Sequence, residues 1–512
     1  MGDDTAMALP VPGSAEELAA YQRLQARLPD LFRRVFADPL EPRTVVIVPG
    51  LTMDQDVLAK VLGGPHYEER QLAMLMLLRL PNTRVVFVSS TPIERTIVDY
   101  YLGLLPGIAR DEARQRLALL SASDASAATL TQKILERPRL LERIRDAMGD
   151  PALAHLSCFN VTALERTLAV RLGIPLYGCD PSLQHIGGKS GGRAAFREAG
   201  VPLPDGRENV RSVEDLMGAL ADLKARNPSL PRAALKLNDG FSGEGNAVFT
   251  YAGCVAGDEQ RWIAAHVPLR VAFEAGDMRW DRFAAKIAES GGIVEEWIAG
   301  DGVRSPSVQL RVTPLGDLEI ISTHDQILGG PSGQVFQACT FPADPAYAQQ
   351  IQALALRVGE LLKSRGVLGR FAVDFVSVPV EDGWQHYAIE INLRKGGTTH
   401  TFQMLQFLTQ GRYDASRAEF VTPDGATRCY YATDNVVNAA YRRLTPDDLI
   451  EVTDRHDLHF DAARQRGVVF VLIGALSEFG KIGIVAIDED RQRAQALFRD
   501  TVKVLDEEAA RD

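Results

Sequence analysis

Gly369-Arg-Phe-Ala-Val-Asp374-Phe-Val-Ser-Val-Pro-Val-Glu-Asp-Gly-Trp-Gln-His-Tyr-Ala-Ile-Glu390-Ile-Asn392 decides the reading of this chain. Two alternating runs flank Glu381-Asp382-Gly383, which reads as a three-residue hairpin turn with glycine at the left-handed position. Val380 then faces Trp384, and counting back places Asp374 opposite Glu390. The two-residue strand period puts Glu390 and Asn392 on one face and Val373, Phe375, Ile389 and Ile391 on the other. Like charges with Cβ atoms ~4.5–5.5 Å apart repel unless something neutralises them. A divalent cation does so, and an all-oxygen set favours Mg²⁺ completed by phosphate oxygens and water. Two solvated acids on a polar face remain the competing reading at this point.

Arg394-Lys-Gly-Gly-Thr-Thr-His400 follows at once, and its cations and mobile backbone suit an anionic reaction centre. Upstream, Ala-Leu-Lys236-Leu-Asn reads as a strand with Lys236 facing away from Leu235 and Leu237. The turn after it, Asn238 to Asn246, carries Gly240, Gly243 and Gly245, which allow successive N–H groups to form an anion nest. Gly188-Lys189-Ser190 lacks the glycine spacing of a phosphate-binding P-loop.

Before residue 186, strand-like runs (Thr44–Val48, Arg84–Ser89, Leu117–Leu120, Leu153–Phe159, Ile174–Tyr177) alternate with helical stretches at Glu68–Leu80 and Ile93–Leu105. That alternation predicts a parallel sheet with right-handed crossovers. Ser14-Ala-Glu-Glu17 is a capping-box pattern opening one helix to about Ala37. Near the other end, Val468–Leu476 and Lys481–Ile487 read as a second hairpin, then a helix from Asp490 to Glu508.

The chain has 512 residues, a net charge of −11, 46% apolar and 24% charged residues. These values place it among globular proteins and count against a nucleic-acid or anionic-membrane surface. No run is long and apolar enough for a membrane helix, and the first residues do not read as a secretory signal. Five scattered cysteines suggest a reducing, cytoplasmic setting.

Taken in order, four features resemble the ATP-grasp superfamily: Lys189 before a short helix and Gly200-Val-Pro202, Lys236 with its glycine loop, the acidic linker Val294-Glu-Glu-Trp-Ile-Ala-Gly300, and Asp374 with Glu390-Ile-Asn392. Pro65-His-Tyr-Glu-Glu-Arg70, Ile97-Val-Asp-Tyr-Tyr-Leu102, Lys133–Leu140, Ser305–Leu310, Glu390–His400 and Leu472–Lys481 resemble, more narrowly, the pheganomycin-type peptide ligases. The resemblance implies an N-terminal extension with a helix (1–40), a parallel α/β pre-ATP-grasp domain (41–187), a two-lobed α+β ATP-grasp fold (188–405) and a C-terminal family-specific domain (406–512).

It also implies an ADP-forming carboxylate–amine ligase that makes an amide through an acyl phosphate, joining an amino acid to an amino acid or peptide. ATP and Mg²⁺, as two ions, are the implied cofactors, and small carboxylates and amines the partners; a homodimer is left open. Lys189 and Lys236 would hold phosphates, with Gly240, Ser242, Gly243, Glu244 and Gly245 closing over them. Glu295, Glu296, Trp297 and Ile298 would meet the adenine, and Asp301 the ribose. Asp374, Glu390 and Asn392 would bind metal. Arg394 would stabilise the acyl phosphate, with Lys236. Asp325 and His400 read either as ordinary loop polarity or as groups that bind or deprotonate the amine. Many members carry an arginine two residues before the first metal acid; here that residue is Ala372, and Arg370 is the nearest. A non-catalytic ATP sensor and an ATP-dependent carboxylase or phosphotransferase are the alternatives.

Overall fold

Valine-, isoleucine- and leucine-rich segments form the first sheet of the computed structural model, which describes residues 10–53, 59–240 and 245–511. Its strands run in the order Leu117–Ser121, Thr83–Ser89, Arg43–Val48 and Ala154–Cys158, all parallel. Val45 and Ile47 pack to one side and Val46 and Val48 to the other, as expected of a sheet covered on both faces. Ile174–Tyr177 joins it only through a bridge between Leu156 and Leu176. The segment expected as a helix over Glu68–Leu80 is instead a run of tight 3₁₀ turns, Gly64–Arg79. The single N-terminal helix is two, Ala15–Gln25 and Leu28–Ala37, because Pro29 starts the second one afresh.

A five-stranded antiparallel sheet follows, ordered Gly206–Val210, Gly292–Glu296, Arg232–Leu237, Asn246–Thr250 and Val271–Phe273. Helices Val213–Arg226, Glu259–Arg270 and Trp280–Ser290 cover it through Leu220, Ile263 and Phe283. Gly292 lets its strand lie close to the one bearing Lys236: a Cβ there would sit 2.5 Å from the Lys236 carbonyl oxygen.

The third sheet has eight antiparallel strands. Their order is Gly383–Asn392, Gly369–Val380, Ser305–Val312, Leu318–Gly329, Val335–Phe341, Cys429–Val437, Lys481–Asp488 and Gly467–Val471. The last three strands thus continue the sheet that begins with the decisive hairpin. Residues 467–471 and 481–488 do form a hairpin, but the chain leaves the strand at Leu472 and makes a short helix, Ala475–Phe479, before returning. Phe371, Val373 and Phe375 are buried together with Ile351, Ala355 and Val358 of helix Ala348–Ser364. Asp374 lies on the other face, between Val373 and Phe375.

The hairpin turn differs from expectation in an instructive way. Val380 pairs with Gly383, so the turn has two residues, Glu381 and Asp382. A β-bulge then inserts Ile389 between Ala388, opposite Phe375, and Glu390, opposite Asp374. Ile389 is therefore not a core residue; Ala388 and Ile391 take that place.

Candidate active site

Asp374 and Glu390 are direct cross-strand partners. Asn392 donates its Nδ2 to Asp374 Oδ2 at 2.9 Å, so the amide oxygen stays available as a ligand. Lys189, the first residue of helix Lys189–Glu198, ends 2.5 Å from Glu390 Oε1. Asn238 fixes that helix start: its Oδ1 accepts from the Ser190 backbone N–H at 2.9 Å, and its Nδ2 donates to the Ser290 carbonyl. The end of the Lys236 strand thereby carries the helix that presents Lys189.

Burial and the neighbouring Glu390 push the Asp374 carboxyl up to about 6, although Ser307, Lys189 and Arg394 oppose them. Burial would also raise Glu390, but Lys189, Arg394 and Lys236 together hold it below the usual carboxylate range. This difference is the signature of two like charges held side by side, with the cations closer to Glu390 than to Asp374 in their effect. Two facing carboxylates, an amide oxygen and flanking cations suit a magnesium ion bridging to phosphate oxygens. Among the described residues no three His, Cys, Asp or Glu side chains gather to hold a metal. Two carboxylates and one amide oxygen would leave most of a magnesium ion's shell to ligand oxygens and water.

These groups line a cleft of about 430 Å³ that also admits Gly240, Arg394 and Gly396. Arg394 lies over the Phe159 ring, 5.9 Å from its centroid. The same cleft is lined by residues that sequence reasoning gave no role: Tyr67, Arg70, Asp434 and Lys481. Buried Arg70 donates from Nη1 to Asp434 Oδ2 at 3.3 Å and covers the Tyr67 ring at 4.3 Å. Its Nη2 is buried without a hydrogen-bond partner. Lys481 donates to the Tyr67 hydroxyl at 3.1 Å. The segments Pro65–Arg70 and Leu472–Lys481, noted only for their resemblance, thus meet at the cleft.

Other sequence-derived candidates stand elsewhere. Lys236 is buried against Glu295, Nζ to Oε1 2.5 Å, and Arg193 takes the second Glu295 oxygen at 2.9 Å. Glu296 accepts from the Asp205 backbone N–H, Arg232 stacks over the Trp297 ring at 4.9 Å, Ile298 is half-buried, and Asp301 is exposed in a turn. Gly245 has the positive φ, +93°, that the loop needed. Ser242, Gly243 and Glu244 lie outside the described residues.

Two expectations do not match the geometry. Asp325 is no open base: it accepts from Tyr347 Oη at 2.5 Å, Arg491 Nη2 at 2.6 Å and the Asp344 backbone N–H at 3.0 Å, tying the last helix to the sheet. His400 is buried in helix Gly397–Thr409, away from the cleft lining, with both ring nitrogens unpartnered. Burial pushes it down to about 3, so it stays neutral.

Comparison with known proteins gives a consistent picture. Residues 181–256 and 258–416 match the family described as IQCH-like, ATP-grasp, and residues 448–501 match the PGM1 C-terminal domain. An L-propargylglycine–L-glutamate ligase of Streptantibioticus cattleyicolor is 29% identical over 475 residues, 89% of this chain and 92% of that one. IQ motif-containing protein H of Danio rerio is 23% identical over 91% of this chain, which spans 48% of that protein. An ADP complex of N5-carboxyaminoimidazole synthetase from Staphylococcus aureus superposes with a TM-score of 0.52 at 11% identity, over 91% of this chain and 98% of the other. Biotin carboxylase from Campylobacter jejuni, bound to an ATP analogue, gives 0.51 at 12% identity, over 91% of each chain. At such identities these two structures speak for the fold alone. Among the described residues, no helix is long and apolar enough to cross a membrane.

Proposed function

We propose that the chain, which matches an ATP-grasp family model and resembles a curated ligase over most of its length, is an ADP-forming ligase of the pheganomycin type. It joins a small carboxylate to an amine, with an amino acid on at least one side. One observation carries this reading: the Asp374–Glu390–Asn392 set, flanked by Lys189 and Arg394, shares its cleft with two further cations, Arg70 and Lys481, and an acid, Asp434. Such a lining suits a molecule bearing both charges, as a free amino acid does.

Bound Mg²⁺ and ATP would supply the phosphoryl group that activates the substrate carboxylate. The chain's own residues do the rest. Asp374 and Glu390 concentrate negative charge where the metal is needed, and Lys189 balances it until then. Arg394 provides a fixed positive charge beside the developing acyl phosphate, where phosphoryl transfer depends on neutralisation more than on covalent help. The unpartnered Nη2 of Arg70 offers a donor to a carboxylate, and Asp434 offers an acceptor to an ammonium group. Gly240 and Gly245 would let backbone N–H groups come close to the phosphates.

The deciding experiment is a pairwise screen of amino acids and short peptides, monitored by ADP release and product mass. Release that requires both an acid and an amine, with a product lighter by one water than its two parts, supports the ligase. Nucleotide binding without turnover across the screen would leave the sensor reading, and release dependent on bicarbonate would favour a carboxylase.

A further inference from the structure

The strand that carries Asp374 also lines a second cavity, of about 580 Å³. Ala372 and Asp374 face the nucleotide cleft; Arg370, on the same face of the strand, faces this other space. Arg394 and Phe159 line both, so the two volumes meet there. Helix Leu28–Ala37 and its surroundings furnish apolar walls through Leu28, Leu31, Phe32, Val35 and Phe407.

Six cations reach the cavity: Arg43, Arg79, Arg311, Arg370, Arg394 and Lys395. No Asp or Glu stands among the described residues lining it, although the chain as a whole is acidic. Arg370 is directly opposite Arg311 across the strands, an arrangement that repels. Glu319 answers Arg311, accepting from its Nε at 2.8 Å. Arg370 Nη1, Arg43 Nε and the Tyr177 hydroxyl are buried with no hydrogen-bond partner. Burial also lowers Arg370 to about 10 and Lys395 to about 8. Uncompensated buried donors of one sign are costly, and a ligand of the opposite sign removes the cost.

We propose that this cavity binds a small organic anion with an apolar body, its head group on Arg370 and its hydrocarbon part against Leu31 and Phe32, at a site separate from the nucleotide cleft. The volume suits a molecule of drug-like size, and the apolar walls exclude a bare inorganic ion as the natural occupant. A carboxylate and a phosphate monoester share the required chemistry.

Octanoate and octyl phosphate serve as probes and 1-octanol as the uncharged control, each titrated calorimetrically into the full chain. At least one anion should bind tenfold or more tighter than octanol, and which one does so identifies the head group. Arg370→Met should weaken that binding at least tenfold while Mg²⁺–ATP binding stays unchanged. Leu31→Trp fills the space without removing a charge and should abolish binding of whichever anion the wild type takes. Equal affinity for all three probes, or anion binding unaltered in either variant, overturns the proposal. None of these measurements involves turnover, so failure here is distinct from failure of the ligase reading.

Discussion

The ammonium of Lys189 and the carboxylate of Glu390 form a 2.5 Å ion pair between the start of a helix and the edge strand of the largest sheet. Lys189 is nearly buried and Glu390 only partly so. A cation assigned to phosphate and an acid assigned to metal therefore touch each other. On the proposed assignment, binding of Mg²⁺ and ATP would exchange this contact for two others, with Glu390 the point at which both are felt.

Glu390→Gln keeps the shape and removes the charge. Mg²⁺-dependent ADP release should fall by about 10³-fold or more, as befits a group acting on transferring phosphate. The folded state should survive, because Asp374 then loses its like-charged neighbour. ADP-release kinetics across a Mg²⁺ titration, alongside thermal unfolding, provide the check; undiminished turnover would remove Glu390 from the site.

Asp434→Asn should affect substrate rather than nucleotide. It abolishes the acid that accepts from Arg70 and faces the reaction cleft. The KM for the amine-bearing substrate should rise about tenfold or more, since one charge-assisted contact is worth ~1.5–3 kcal/mol, while the KM for ATP stays near wild type. An equal rise in both would place Asp434 in the scaffold.

Glu295→Gln should destabilise the five-stranded lobe. Its carboxylate is shared by Lys236 and Arg193, and all three side chains are buried. Removing one partner of such a network leaves charge uncompensated, at a cost of about 3–5 kcal/mol. Urea unfolding measures it, and a loss below 1 kcal/mol would contradict the network.

His66 predicts a pH dependence of stability. It bridges Glu69 at 2.8 Å and Glu478 at 2.9 Å, 412 residues away. Burial disfavours its charged form, but the two carboxylates outweigh burial and raise its pKa above 6.5. A raised folded-state value means stability fully present below the unfolded pKa and lost as pH rises through the folded one. The stability difference between wild type and His66→Gln should therefore be larger at pH 6 than at pH 8.5, by urea midpoints at both. A difference that does not shrink would dissolve the bridge.

The facing of Asp374 and Glu390 was legible in the sequence, but for a reason only half right. The turn is one residue shorter than the glycine suggested, and the bulge at Ile389 restores the count. Side-chain period 2 fixes which residues share a face; turn length and bulges answer to packing across the sheet, which no local pattern encodes. Hence Ile389 was expected in the core, where Ala388 stands instead. Lys189 and Lys236 stand out in the sequence as cations beside glycine-rich stretches, but nothing local to them reveals that Glu390 and Glu295 are their partners. Arg70 and Asp434 were beyond reach: 364 residues separate them, and each alone is an ordinary charged residue. Asp325 and His400 misled because a polar side chain in sequence does not reveal whether it meets a cavity, a salt bridge or an apolar interior.

The order of strands in the largest sheet has a consequence for biosynthesis. Cys429–Val437 gains its outer neighbour only when Lys481–Asp488 has been made, and that strand lies between it and Gly467–Val471. On the ribosome, the strands bearing the reaction centre emerge well before those that close the far side. Until then a nascent chain displays an unpaired, apolar border capable of recruiting strands from other molecules. Chaperone protection during translation matters most in that interval.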